Sequence, residues 1–277
     1  MSRIGFIGLG DMGGAIARRI IDAGFATTLW ARREASYEQF RDLSFGRAST
    51  PAQLGAQSDL VGVCVFADDD VRTVLLGPDG VFAGMRPGGI VLIHSTISTE
   101  ATLELAAAGK ARSIGVLDAP VSGARIGAVS GKLAIMVGGD AEVFEQALPL
   151  MRAYGGTILR LGGIGSGQRM KFLNNVLGFA NVRMACLALE LAERLGLDRD
   201  AAGTILRSGS AASANLNILL DRLLPEPAFA RHAVTMTKKD TRLFQSACAA
   251  AGIERTLLDR LAEEATEVIA ALDRRTM

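Results

Sequence analysis

Histidine is scarce in this chain, with only His94 and His232 present, so a catalytic histidine relay has few candidates. Cysteine is nearly as scarce. Cys64, Cys186 and Cys248 lie far apart in apolar runs. That pattern is neither a disulfide framework nor a metal-ligand spacing, and it suits small buried hydrophobes. An excess of one charge is also missing. Thirty basic residues against 29 acidic ones leave a formal net charge of +1, whereas an electrostatic nucleic-acid binder carries a strong basic excess. No uninterrupted apolar run reaches the roughly 18 residues that suggest a transmembrane helix. Met1-Ser2-Arg3 leads straight into Ile4-Gly5-Phe6-Ile7-Gly8, with no basic stretch followed by a long apolar one. The expectation is a cytoplasmic protein with no nucleic-acid or membrane partner.

What is present is a soluble globular composition: 277 residues, 49% apolar and 21% charged. That length can bury a sizeable core, in one large domain or two smaller ones. Up to about residue 162, short apolar runs alternate with helical stretches. Strands are expected at Arg3 to Ile7, Thr27 to Trp30, Leu60 to Phe66, Gly89 to Ile93, Gly115 to Leu117, Ala134 to Val137 and Thr157 to Leu161. Amphipathic stretches lie between them, among them Gly13 to Ala23 and Ala141 to Tyr154, the latter with Asp140 as N-cap. Apolar strands separated by helices imply a mostly parallel sheet covered on both faces, an α/β fold.

The pattern changes at Gly162-Gly163-Ile164-Gly165-Ser166-Gly167. No convincing strand follows. Gln168 to Leu195 fits one long helix, about 42 Å in length, stopped by Gly196. Asp198 to Ser208, Ala211 to Leu224, His232 to Ala251 and Glu254 to Asp273 also read as helices. The reading is two domains, α/β over residues 1–163 and all-α over 164–277, with the long helix bridging them or packing on a second subunit.

Gly8-Leu9-Gly10-Asp11-Met12-Gly13 follows the first strand and opens a helix. In that setting the glycines allow a tight turn and the close approach of a pyrophosphate to N–H groups at a helix N-terminus. A plain glycine turn is the bland alternative. The end of the second strand bears on which dinucleotide is used, because a carboxylate there suits the ribose of NAD and an arginine the 2′-phosphate of NADP. Arg32 and Arg33 stand where the carboxylate is expected, and Glu34 comes late. NADP is favoured, with NAD possible. The alternative is that one arginine stacks on adenine and the other is a solvated surface charge.

The long helix carries an oddity near its start: Lys171, Asn174 and Asn175 sit in an otherwise apolar stretch. Either this turn faces water, with Lys171 snorkelling, or it faces a cavity that uses these groups. Here the chain resembles the β-hydroxyacid dehydrogenase family, which includes 3-hydroxyisobutyrate dehydrogenase, tartronate semialdehyde reductase and glyoxylate/succinic semialdehyde reductases. Gly5 through Gly13 resembles the family's cofactor signature, and Asp118-Ala119-Pro120-Val121-Ser122-Gly123-Ala124 its substrate signature. Gly165-Ser166-Gly167-Gln168-Arg169-Met170-Lys171-Phe172-Leu173-Asn174-Asn175 resembles its catalytic signature, and Lys239-Asp240 with Leu243 a C-terminal element. The resemblance spans nearly the whole chain.

The resemblance implies an N-terminal Rossmann domain, a helical C-terminal domain joined to it by the long helix, and a site in the cleft between them. It also implies a homodimer or homotetramer. Lys171 would be the general acid/base, a role open to a lysine whose pKa is brought down to roughly 7–8. Asn175, Ser122, Gly123 and Lys239 would hold a short hydroxy-acid or semialdehyde substrate, and Asp240 would fix Lys239 near the nicotinamide. Phe66, Ala67, Asp68, Ser95 and Thr96 would lie along the cofactor with Gly8, Leu9, Gly10, Asp11, Met12, Gly13, Arg32 and Arg33. No metal is expected.

Some positions depart from the family pattern. Ile16-Ala17 and Arg19 replace a Met-Ala and a following Asn, a change read as packing. Where many members read Ser-Gly-Gly, this chain has Ser122-Gly123-Ala124 and then Arg125. Arg125 could meet a second substrate carboxylate or be a surface loop arginine, and His94 could touch the cofactor or be structural. Imine reduction on the same scaffold is an alternative, but those relatives usually carry Asp or Tyr where Lys171 stands. A decarboxylating 6-phosphogluconate dehydrogenase would be much longer and have histidine at Asn174. A dinucleotide-binding module without activity would have lost the lysine.

Overall fold

The computed structural model describes residues 2–274. The chain divides into two compact units, which meet between Lys171 and Phe172. The first is built on a nine-stranded sheet. Its strands are β1 (Ile4–Ile7), β2 (Thr27–Trp30), β3 (Gly46–Arg47), β4 (Leu60–Val63), β5 (Ile90–Ile93), β6 (Gly115–Asp118), β7 (Val121–Ser122), β8 (Leu133–Gly138) and β9 (Gly155–Gly162). The order β3-β2-β1-β4-β5-β6 is parallel throughout, the doubly wound arrangement of a Rossmann domain. β6 and β7 both pair antiparallel with β8, and β9 runs parallel to β8.

Seven of these strands coincide with expected ones, within a residue or two at most ends. β4 stops at Val63, and Cys64, Val65 and Phe66 form the loop beyond it. The two-residue strands β3 and β7 had no sequence signal, because so short a run has no period to detect.

Alternation along each strand explains the two-faced core. Ile4, Phe6, Ile90 and Leu92 pack on one face with Ile16 and Ile20 of α1 (Asp11–Asp22). The same core takes Ala147 and Leu150 of the helix Ala141–Met151. Ile7, Val61, Val91 and Ile93 point to the other face. There they meet Leu54 of α2 (Pro51–Gln57) and Val71 and Leu75 of α3 (Asp68–Leu76). Phe82 of α4 (Val81–Gly84) and Leu105 of α5 (Thr99–Lys110) complete that layer. Two short segments follow: α6 (Ala124–Val129), and α7, the helix Ala141–Met151, whose N-cap Asp140 accepts from the N–H groups of Glu142 and Val143 as expected.

The long helix α8 runs over Ser166–Arg194, 29 residues, or about 43 Å. Its first turn is bound to the sheet. The Asp118 carboxylate, at the end of β6, accepts from Gly165 N–H at 2.7 Å and Gln168 N–H at 2.8 Å. Gln168, itself fully buried, donates to the Ser95 carbonyl at 2.8 Å and accepts from Ile97 N–H at 3.3 Å. A Cβ at Gly138 would lie 2.3 Å from Asp118 Oδ1, and one at Gly167 would lie 2.3 Å from the Met136 carbonyl oxygen. Both glycines are required by this close approach.

In the second unit, α9 (Arg199–Ser208) begins at the N-cap Asp198. α10 (Ala214–Ile218) continues into a π-helical turn at Leu219–Leu223 where one helix was expected, and α11 (Pro227–Ala250) and α12 (Leu257–Arg274) follow. α11 starts five residues before the expected His232, with Pro227 in its first turn, where the missing N–H costs nothing. Val182, Cys186 and Leu189 of α8 pack on Leu219, Leu223, Ala230 and Ile269, and Phe172 and Val176 on Phe244 and Ala262. No strand occurs after residue 162 among the described residues.

Removing the Asp118 carboxylate strands two buried N–H groups at α8's first turn. Asp118→Ala is expected to lower stability by about 2–5 kcal/mol, read from chemical denaturation. Asp118→Asn, which keeps one acceptor oxygen, should cost clearly less. Equal effects, or none, would show that these bonds do not secure the helix.

Candidate active site

The strand order reverses between β1 and β4, so the crevice outside their carboxyl ends is where an open α/β sheet takes its ligand. Gly8 has φ +94°, and a Cβ there would lie 2.2 Å from the Cys64 carbonyl oxygen. At Gly13 a Cβ would lie 1.9 Å from the Gly8 carbonyl oxygen. The turn is therefore closed by contacts that only glycine permits. Gly10 differs, since a Cβ there meets nothing within 4 Å. Gly10 is also the N-cap of α1 and gives it no side-chain cap. An exposed, uncapped helix N-terminus with open space above the middle glycine fits a pyrophosphate.

The surroundings brace this turn. Gln39 donates to the Leu9 carbonyl at 2.8 Å, and Ala31 N–H donates to the Tyr37 hydroxyl at 2.9 Å. Arg32 and Arg33 are exposed at the end of β2, with Arg32 ion-paired to Asp70 at 3.4 Å. Glu34 is held by Arg47, whose guanidinium lies 4.1 Å over the Tyr37 ring. Phe66 is exposed beyond β4. The Asp68 carboxylate accepts from the N–H and hydroxyl of Ser98, tying the start of α3 to the N-cap of α5. Ser95 is buried, its hydroxyl accepting from Val65 N–H at 2.9 Å, and Thr96 next to it is half-buried.

Ser122 ends β7 half-buried, and Gly123 takes φ +125°, a conformation glycine adopts readily. Ala124 follows at φ +52°, so the departure from Ser-Gly-Gly falls on a left-handed residue. Arg125 reaches back to the glycine-rich turn, 3.2 Å from the Asp11 carbonyl oxygen and 3.4 Å from its Oδ1.

His94 is structural. It is buried, its Nδ1 lies 2.8 Å from the Ala119 carbonyl oxygen, and the Tyr154 hydroxyl is 3.2 Å from Nε2. That places the proton on Nδ1 and has Tyr154 donate to Nε2. Burial lowers the imidazole pKa to about 4.

On α8, Lys171, Asn174 and Asn175 are half-buried, and Lys171 and Asn175, four apart, share a helix face. Asn175 donates to Asp240 Oδ2 at 2.7 Å and accepts from the Asn174 amide at 3.1 Å. Asp240 is 2% exposed in the middle of α11 and has Lys239 Nζ 3.3 Å from its other oxygen. Asn174 thus braces Asn175, and Asp240 orients both Asn175 and Lys239. In the second unit Ser213 caps α10 and Asn215 packs on Gly178 of α8. The missed residues are Asp118, Gln168 and Gln39. The first two lie inside quoted signatures, but a pattern of types does not say which members are structural.

Residues 3–163 match the NAD binding domain of 6-phosphogluconate dehydrogenase, and residues 165–276 the NAD-binding region of NADP-dependent 3-hydroxyisobutyrate dehydrogenase. The chain belongs to the β-hydroxyacid dehydrogenase family. It is 36% identical over 218 residues to a probable 3-hydroxyisobutyrate dehydrogenase-like protein of Arabidopsis thaliana, covering 78% of this chain and 72% of that one. An NAD-dependent L-serine dehydrogenase of Pseudomonas aeruginosa is 34% identical over 220 residues, 79% of this chain and 73% of its own. A Mycobacterium tuberculosis 3-hydroxyisobutyrate dehydrogenase, solved with L-serine, superposes with a TM-score of 0.81 at 25% identity, covering 99% of this chain and 94% of its own. Like the family, this chain is an NAD(P)-dependent oxidoreductase with a nicotinamide dinucleotide cofactor, and its first unit is the Rossmann-like domain that carries it.

His94 should stay neutral as the Nδ1–H tautomer from pH 8 down to about 5, read by long-range proton–nitrogen NMR. An unfolded imidazole binds its proton near 6.5, so His94's contribution to stability falls as pH drops from about 6.5 to about 4. An imidazolium at His94 above pH 6 would overturn this assignment.

Proposed function

We propose that the protein interconverts a short β-hydroxy acid and its semialdehyde, with Lys171 as general acid/base and NADP(H) preferred. The observation that carries this reading is the network in which Asp240 and Lys239 of α11 join Asn175, one turn beyond Lys171 on α8. A buried carboxylate costs several kcal/mol unless it is paired. Here Asp240 orders an amide and an ammonium suited to an anionic, hydroxylated substrate.

When bound, the dinucleotide supplies the hydride acceptor or donor. On oxidation, Lys171 Nζ takes the hydroxyl proton as the carbinol carbon gives up its hydride. On reduction it returns that proton to the carbonyl oxygen. The Ser122 hydroxyl and the Gly123 N–H hold the substrate carboxylate, and Asn175 holds the hydroxyl. The preference for NADP is supported by exposed Arg32 and Arg33 at the end of β2 and by the engagement of Glu34 with Arg47. L-serine, itself a β-hydroxy acid, joins the candidate substrates because it appears in the names of two relatives. Imine reduction is the second reading, and Lys171 disfavours it.

We further propose a homo-oligomer. Leu173, Leu177, Met184 and Leu191 are all about half exposed on α8. The last three recur at seven-residue spacing, the seam a partner helix covers. By length and composition alone α8 could also cross a membrane. Half-buried Lys171, Asn174 and Asn175 on the same helix favour a protein partner instead. Light scattering should give a dimer or tetramer that Leu177→Asp/Met184→Asp weakens, and a monomeric wild type would exclude this.

The activity is tested by following NADPH and NADH with glyoxylate, succinic, methylmalonic and tartronic semialdehydes, a cyclic imine, and L-serine in the oxidative direction. One of the aldehyde acids should turn over with NADPH, or L-serine with NADP+, and Lys171→Ala should lower kcat by about 10²–10⁴-fold with dinucleotide affinity retained. Turnover surviving in Lys171→Ala would remove the acid/base role. Preference for the imine would favour the second reading.

A further inference from the structure

We propose that Arg125 is a positioning residue for the cofactor, neutralising Asp11 and holding the glycine-rich turn so that a pyrophosphate can approach it. The proposal rests on the dinucleotide reading above. Asp11 is the first residue of α1, next to the Gly10 N-cap. Its carboxylate complements the helix dipole there, but it also occupies the ground on which phosphate charges would settle. Like charges at close range repel even in water. An unscreened Asp11 therefore opposes the ligand that the turn is shaped to receive.

Arg125 answers this charge from a distant part of the chain. Its Nη1 is 3.2 Å from the Asp11 carbonyl oxygen and 3.4 Å from Oδ1, so one nitrogen grips both the backbone and the side chain of the turn. It is delivered there by the left-handed pair Gly123 (φ +125°) and Ala124 (φ +52°), which turns the chain from β7 into α6, and α6 packs on α1. Ser122 and Gly123, the proposed grip on the substrate carboxylate, belong to this same turn. Arg125 thus links the loop proposed for substrate to the loop for dinucleotide, and a free role toward a second substrate carboxylate would require breaking that contact. Both side chains are more than half exposed, so the effect is modest and sensitive to salt.

A double-mutant cycle on the full-length protein tests this, titrating NADPH, with NADH in parallel, by fluorescence at low and high salt. Arg125→Ala should weaken binding about three- to fivefold at low salt, Arg125→Lys less, and melting temperatures should hardly move. In an Asp11→Asn background, where the bond to the residue-11 carbonyl remains but the charge is gone, the loss from Arg125→Ala should be clearly smaller, and high salt should shrink the loss seen with Asp11 present. An undiminished loss in that background would mean that Arg125 does not act by neutralising Asp11 and would overturn the proposal. So would unchanged affinity in Arg125→Ala. Failure of the wild type to bind either dinucleotide would instead overturn the cofactor reading, and this inference with it.

Discussion

The contact between Asp118 and the first turn of α8 is the constraint on which the proposed chemistry depends. A helix N-terminus has N–H groups with no partner inside the helix. Here a carboxylate at the end of β6 takes those of Gly165 and Gln168, while the Gln168 side chain is bonded to the strand-end loop at Ser95 and Ile97. Lys171 follows Gln168 by three residues, less than one turn. Locking Gln168 therefore sets the direction in which Lys171 leaves the helix. Burial pushes the Asp118 carboxyl up to about 6 against the pull of its two N–H donors, so it is ionised at neutral pH, where the helix dipole favours it.

The same economy recurs at other candidate positions, where several polar groups proposed to meet ligand are each held by a neighbour. Gln39 steadies the backbone at Leu9, Asp240 orients Asn175 and Lys239, and Asp70 holds Arg32. Such partners reduce the freedom a side chain must lose when a ligand arrives, which is how preorganisation raises affinity and rate. His94 belongs to this supporting layer. With Tyr154 and the Ala119 carbonyl it forms a buried, neutral chain beneath the substrate signature.

Much of this was legible in the residues. The alternation of Ile4-Gly5-Phe6-Ile7 and Ile90-Val91-Leu92-Ile93 between the two cores is a local, period-two pattern, and the covered parallel sheet follows from it. Gly8 and Gly13 were readable because a turn with a positive φ and sub-van-der-Waals Cβ contacts admits nothing else. The strands β3 and β7, the π turn at Leu219–Leu223 and the early start of α11 were not, being too short or too dependent on packing to leave a periodic trace.

The sequence by itself determined the α/β-then-α order, the dinucleotide turn, the family and the neighbouring positions of Lys171 and Asn175 on one helix, because each rests on spacing within a few residues. Tertiary structure decided which charges meet. Asp118 is 47 residues from Gly165, Asn175 is 65 from Asp240, and Arg125 is 114 from Asp11. No local period encodes such pairings. The sheet order brings Asp118 to Gly165, the packing of α8 on α11 brings Asn175 to Asp240, and the two left-handed residues after β7 carry Arg125, which read as a substrate ligand or a surface charge, to the glycine-rich turn.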